Sequence, residues 1–153
     1  MRIDVKTEQK KFWKIFDEKL IENGEPFSIL HEMAGKVTYW AVINRKYSFV
    51  NNALSIDFLA RERKLRINIY VRDDLQLFAI LERNRNEIEA MVSVPLKWVE
   101  GIKNPNTRRI IYELPINVGA NSNYDEAIDS VLPVIVEMKK VCELYVKHEF
   151  FDF

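Results

Sequence analysis

The segment from Ala53 to Arg72, ALSIDFLARERKLRINIYVR, constrains the fold more than any other part of the chain. Apolar and polar residues alternate along it twice. Leu54, Ile56 and Phe58 share one side of the first half, and Leu65, Ile67, Ile69 and Val71 share one side of the second. Ser55 and Asp57, then Arg66, Asn68, Tyr70 and Arg72, take the other side. Successive side chains of a strand point to opposite faces, so the pattern predicts two strands with one dry face and one wet face. Leu59 breaks the alternation. The intervening Ala60-Arg61-Glu62-Arg63-Lys64 contains no glycine, which predicts a longer solvated hairpin loop in place of a tight primed turn.

The flanks supply the layer that such a dry face requires. Phe12, Ile15, Phe16 and Leu20 recur at spacings of three and four, predicting a helix from Thr7 to Asn23. Thr7 is the expected N-cap, and Gly24 and Pro26 end the helix. Trp13 lies off the centre of the stripe, at the edge of the core or on a partner surface. Residues 25–35, with His31, read as irregular, and Val37 to Ile43 (VTYWAVI) as a strand with two fairly apolar faces. A loop carrying Arg45, Tyr47 and Phe49 precedes the hairpin.

Asp73-Asp74 caps a second helix bearing Leu77, Phe78, Leu81, Ile88 and Met91. Its polar middle, Arg83 to Glu87, predicts a bend, and Pro95 closes it. Leu96 to Val99 and Arg108 to Leu114 flank the Asn104-Pro105-Asn106 turn and predict a second hairpin. Asn123 and Glu126 resemble a capping box, opening a long last helix striped by Ile128, Val131, Leu132, Ile135, Met138, Cys142, Tyr145 and Val146. Pro133 is expected to kink it. The expected fold is therefore one α+β domain over residues 1–153, in the order α-β-β-β-α-β-β-α. A mainly antiparallel five-stranded sheet carries its helices on one face.

Composition narrows function mostly by exclusion. The chain has 153 residues, 48% hydrophobic and 12% aromatic, enough to bury a core. Lys plus Arg is 23 and Asp plus Glu is 23, so nucleic-acid binding by bulk charge is not indicated, although a local basic patch is compatible with a balanced total. A lone Cys142 excludes an internal disulfide and points to a reducing compartment. No signal peptide and no run near ~18 apolar residues is visible. A complete, soluble, cytoplasmic protein is expected, without membrane attachment.

Chemistry-bearing motifs are sparse. His31 and His148 have no ligand at metal spacing, and Cys142 falls on the buried stripe of the last helix, so neither a metal site nor a thiol nucleophile is expected. The four glycines make no phosphate loop, and there is no GxSxG elbow. No cofactor is expected. Glu62-Arg63-Lys64 reads acidic-x-Lys, as in a metal-dependent nuclease with Asp57 nearby, but it falls in the hairpin loop, where charge runs are ordinarily solvated.

The wet face is the remaining candidate. Arg66, Asn68, Tyr70 and Arg72 alternate along one strand, with Arg45 and Arg109 expected on neighbours. Guanidinium groups suit phosphates and an aromatic among them suits a base, whereas Asp57 would instead pair with an arginine across the hairpin. A second candidate is an oligomer contact through Trp13, Phe150, Phe151 and Phe153; the alternative is that the terminal phenylalanines fold onto the core.

The order of these signals resembles an uncharacterised prokaryotic family, domain of unknown function 4268. The likeness is carried by Gln9-x-x-Phe12-Trp13, by Ile67-Asn68-Ile69-Tyr70 after a basic turn, by Phe78 and Leu81, and by Ile88-Glu89 and Leu96-x-Trp98. Such domains are often found behind nuclease-like modules, so the resemblance implies an accessory role near nucleic acid and supplies no catalytic residues. The first expectation is a non-catalytic recognition domain serving a nucleic-acid-processing partner. The alternatives are a divergent metal-dependent nuclease using Asp57, and a homodimeric or larger structural protein.

Overall fold

The computed structural model describes residues 2–23, 36–43, 48–49, 52–101 and 105–146. Among these residues six strands form one antiparallel sheet: β1 (Trp40–Val42), β2 (Ser48–Phe49), β3 (Asn52–Leu59), β4 (Lys64–Arg72), β5 (Lys97–Glu100) and β6 (Thr107–Pro115). Five of them make a continuous path, β1-β3-β4-β6-β5, and the two-residue β2 pairs the start of β3 beside it. The expected α+β architecture with a mainly antiparallel five-stranded sheet is therefore what the chain adopts; β2 adds a short pairing inside the stretch expected as a loop.

The β3–β4 hairpin sets the register of everything else. Leu59 pairs with Lys64, leaving Ala60 to Arg63 as the connection. Arg63 takes a left-handed φ of 55°, the conformation a glycine would ordinarily supply, and its N–H donates to Ala60 O at 3.3 Å. Leu59 does not end the alternation. It keeps the phase of Ala53, Ser55 and Asp57 and stays in the strand.

Among the described residues four helices lie in chain order as α1 (Val5–Glu22), α2 (Leu75–Arg83), α3 (Arg85–Met91) and α4 (Tyr124–Val141), the last continued by a wide π-type turn, Cys142–Val146. The N-cap of α1 is Asp4, whose carboxylate accepts from Thr7 N at 3.2 Å, one turn before the expected Thr7 cap. Asp74 caps α2 as expected, accepting from Leu77 N at 3.0 Å. The polar stretch after Arg83 separates α2 from α3 at Asn84, whose side chain donates to Ile80 O at 2.8 Å. Asn123 precedes α4 but does not make the capping box: its Oδ1 accepts from Asn117 N, tying down the linker instead. Helix α4 runs through Pro133.

One dry core unites these elements. Leu54, Ile56 and Phe58 of β3 and Leu65, Ile67, Ile69 and Val71 of β4 are buried against Phe12, Phe16 and Leu20 of α1, Leu77 and Leu81 of α2, and Ile128, Val131, Ile135 and Met138 of α4. Phe12 stacks on Phe58 with centroids 4.4 Å apart and meets Tyr124 edge-on at 5.6 Å. Trp13 corrects an expectation. Its ring is wholly buried, and its Nε1 donates to Thr38 O at 2.9 Å, so it serves the core and offers no surface for an oligomer contact. Phe150, Phe151 and Phe153, like His31, Arg45 and His148, lie outside the described residues.

A polar latch joins α1 to α4. Tyr124 donates its hydroxyl proton to Glu8 Oε1 at 2.6 Å, and Gly119 N donates to the same oxygen at 3.1 Å. Desolvation, with the Glu8 hydrogen bond second, pushes the Tyr124 hydroxyl well above its ordinary value of 10.0. A phenol pKa raised by folding adds stability that is intact below pH ~10 and is lost as the pH climbs above it, because the unfolded tyrosine ionises first. Urea unfolding of the wild type is therefore expected to lose stability between pH 9 and pH ~11, and Tyr124→Phe is expected to lose less. Burial also drives the Cys142 thiol up to about 12. It is expected to resist iodoacetamide at pH ~8 in the native protein and to react once the chain is unfolded, as mass spectrometry would show.

Candidate functional site

The helices cover one face of the sheet, and register decides what the other face presents. Asp57 pairs with Arg66, Ser55 with Asn68 and Ala53 with Tyr70 across β3–β4. Across β4–β6, Arg66 faces Glu113, Asn68 faces Ile111, Tyr70 faces Arg109 and Arg72 faces Thr107. Trp40 of β1 lies opposite Asp57, and Lys97 and Val99 of β5 lie opposite Ile111 and Arg109. The open face thus holds five cations (Lys64, Arg66, Arg72, Lys97 and Arg109) against two carboxylates, Asp57 and Glu113.

At its centre Asp57 is 3% exposed and Asn68 fully buried, so this face is drier in the middle than a solvated surface would be. Arg66 brings Nε and Nη2 to one oxygen, Asp57 Oδ2, at 3.1 and 2.9 Å. Asn68 Nδ2 donates to the same oxygen at 3.0 Å, and Arg109 Nη1 stands 3.6 Å from it. The guanidinium of Arg109 also lies over the Tyr70 ring, 5.1 Å from its centroid. The pairing of Asp57 with an arginine across the hairpin is thus present, and a second arginine from β6 joins it.

This cluster fixes what Asp57 can do. Its carboxylate faces two guanidiniums and an amide N–H, a set that satisfies an anion and repels a cation. Glu62, in the hairpin connection, is not brought alongside it on a strand. Among the described residues no group of three His, Cys, Asp or Glu side chains is arranged to hold a metal. Further along the face Glu113 accepts from Lys97 Nζ at 2.9 Å with Lys64 Nζ at 3.5 Å. Those contacts, the Lys97 hydrogen bond foremost, hold its carboxyl below the ordinary value of 4.5.

Beside the cluster is a groove of about 250 Å³ lined by Tyr39, Trp40, Ser55, Asp57, Tyr70, Arg72 and Arg109. Tyr39 and Trp40 are each 48% exposed, unusual for rings of that size, and Arg72 projects into solvent, its nearest carboxylate being the adjoining Asp73 at 3.9 Å. The structure therefore brings Arg66, Asn68, Tyr70, Arg72 and Arg109 onto one face, with Asn68 turned inward as a support. Sequence reasoning missed Tyr39, Trp40, Lys64, Lys97 and Glu113. Trp40 sat in a strand apolar on both sides, and only its pairing with Asp57 assigns it to the open face.

Fold and site together define an α+β protein whose described helices pack on one side of an antiparallel sheet, while the other side carries a cluster of cations and aromatic rings. The chain belongs to the family described as Domain of unknown function (DUF4268), whose model matches residues 8–146. No curated protein matches it. A chain of the crystal structure of the ExsC–ExsE complex is similar over 88% of this chain and 92% of its own, at 12% identity and a TM-score of 0.44. No described helix is long and apolar enough to cross a membrane.

Removing the shared carboxylate leaves two guanidiniums and the Asn68 amide without their acceptor. Asp57→Ala is expected to cost about 1–3 kcal/mol in urea unfolding, as for hydrogen bonds to charged groups. Mg²⁺ at millimolar concentration is expected to leave the wild-type melting temperature unchanged, since a cation finds no vacant carboxylate there.

Proposed function

We propose that this protein is a non-catalytic recognition domain, one α+β unit working in the cytoplasm, and that the open face of its sheet binds single-stranded nucleic acid on behalf of a nucleic-acid-processing partner. The observation that carries this reading is the set of side chains on that face. Guanidiniums and amines supply an excess of positive charge for phosphates, and Tyr39, Trp40 and Tyr70 supply flat surfaces for bases. Asp57 supports the surface by holding Arg66 and Arg109 in fixed positions, which lowers the entropy lost when they meet a phosphate. Arg72, on the rim, is the readiest of the cations to exchange water for an anion.

Single strands fit this face better than duplex. The face of a sheet presents no protruding helix to a major groove, whereas unpaired bases can lie on exposed rings. The same geometry weighs against the nuclease reading, because the acidic residue that would anchor a metal is spent on arginines.

Fluorescence anisotropy with a labelled single strand across a salt series tests the proposal. Affinity is expected to fall as salt rises, with a slope of ~0.7 per phosphate contact on logarithmic axes. Arg72→Ala should flatten that slope by about one contact. Tyr70→Ala should weaken binding by about 5- to 100-fold and leave the slope as it was, since stacking releases no counterion. Absence of salt-sensitive binding to strands of any base composition would overturn the reading.

A further inference from the structure

A second groove lies where α1 crosses the tip of the β3–β4 hairpin. Its polar lining is Gln9 of α1, Tyr39, Arg61, Glu62, Lys64 and Arg66 of the hairpin and Glu113 of β6, and it shares Tyr39 with the first groove. Its volume of about 660 Å³ is ample for a nucleobase and its sugar. The side chain at its floor is anomalous. Gln9 is 5% exposed, and its Oε1 is buried without any hydrogen-bond partner. A buried carbonyl oxygen left unpaired is costly, and natural chains keep few of them. The other orphaned amides, on Asn52 and Asn68, belong to the sheet and line neither groove.

Resting on the reading above, we infer that Gln9 is the base-reading residue of this surface. A base seated in the α1–hairpin groove stacks on Tyr39 and donates an N–H from its Watson–Crick edge to Gln9 Oε1. Rotation about the terminal side-chain torsion, which has no sharp minima, turns the amide from the floor toward the groove. Arg61, Lys64 and Arg66 stand around the same groove and take the flanking phosphates. The chemistry required of the occupant is narrow: a flat ring, a donor on its edge and an anionic backbone. An acidic peptide meets the last requirement alone, so it is the competing occupant for the experiment to exclude.

The missing partner makes opposite demands on the free and bound protein, and that opposition is the test. Gln9→Leu removes the orphaned oxygen at nearly constant shape. The free variant is expected to melt at the wild-type temperature or a few degrees above it, because an unsatisfied polar group is gone. Binding of a single strand should nevertheless weaken by about tenfold, with the salt slope unchanged. The affinity margin of a normal strand over an abasic strand of equal length should shrink by the same factor. Gln9→Met serves as the second variant should leucine disturb α1. Addition of the strand to wild-type protein should also shift the Gln9 side-chain amide resonances.

If both variants bind normal and abasic strands as the wild type does, the assignment of Gln9 is overturned while nucleic-acid binding by the face stands. If wild type binds polyglutamate and no oligonucleotide, the functional reading itself fails and takes this assignment with it.

Discussion

The burial of one side of the β3–β4 hairpin is the constraint from which the rest of this structure follows. Seven apolar side chains, Leu54, Ile56, Phe58, Leu65, Ile67, Ile69 and Val71, leave water together, each 1% exposed or less. A fully buried aliphatic or aromatic side chain contributes about 1.5–3 kcal/mol, so no other register of the two strands competes. Slipping β4 by one residue would turn Arg66 and Arg72 into the core and all four of its apolar residues into solvent. The helices are secured to that face through aromatic contact: Phe12 lies on Phe58, and Tyr124 meets both rings edge-on. With the described helices on one side, side chains of the sheet itself stabilise the polar side, Asp57 with Arg66 and Asn68 at its centre.

Much of this was legible in the chain because the information is local. Alternation fixes which residues of a strand share a side, and the stripe of α1 names Phe12, Phe16 and Leu20 as its partners. Pairing of Asp57 with an arginine across the hairpin was foreseeable too, but that the arginine is Arg66 depends on the connection being Ala60 to Arg63, one residue shorter than the charged break suggests. What was not legible depends on long-range pairing. Arg109 reaches Asp57 only because β6 lies beside β4, and Trp40 reaches the open face only because β1 pairs with β3 in that register. Capping failed for a different reason. Asp4 and Thr7 are both good caps, and the sequence holds no term that decides between them until the turn is built. Trp13 was misjudged because a stripe drawn at ideal spacing is narrower than the surface a whole domain covers; the indole is long enough to reach Thr38 from its flank.

The candidate site shows the same division. Its cations and its tyrosine stand on alternate positions of β4 and could be named from the sequence. Its organisation could not, because it rests on one buried oxygen shared by three strands' worth of neighbours: Arg66 and Asn68 from β4, Arg109 from β6, and Asp57 itself from β3. Removing any one donor leaves the carboxylate partly served, whereas removing the carboxylate strands all of them. Such a hub is asymmetric, its one acceptor holding several donors in place.

Charge balance over the whole chain conceals this arrangement. Equal numbers of acidic and basic residues give a net charge of zero, yet among the described strand residues the open face has five cations to two carboxylates, so the rest of the chain carries the matching excess of acid. In the proposed mode of binding, such a distribution orients an approaching phosphate chain toward this face. Bulk composition argues against a sticky, non-specific cation; the distribution supports a directed one. The two grooves share Tyr39. In the proposed mode of binding, charge brings a strand to the face, and the rings together with the unpaired Gln9 oxygen seat it there.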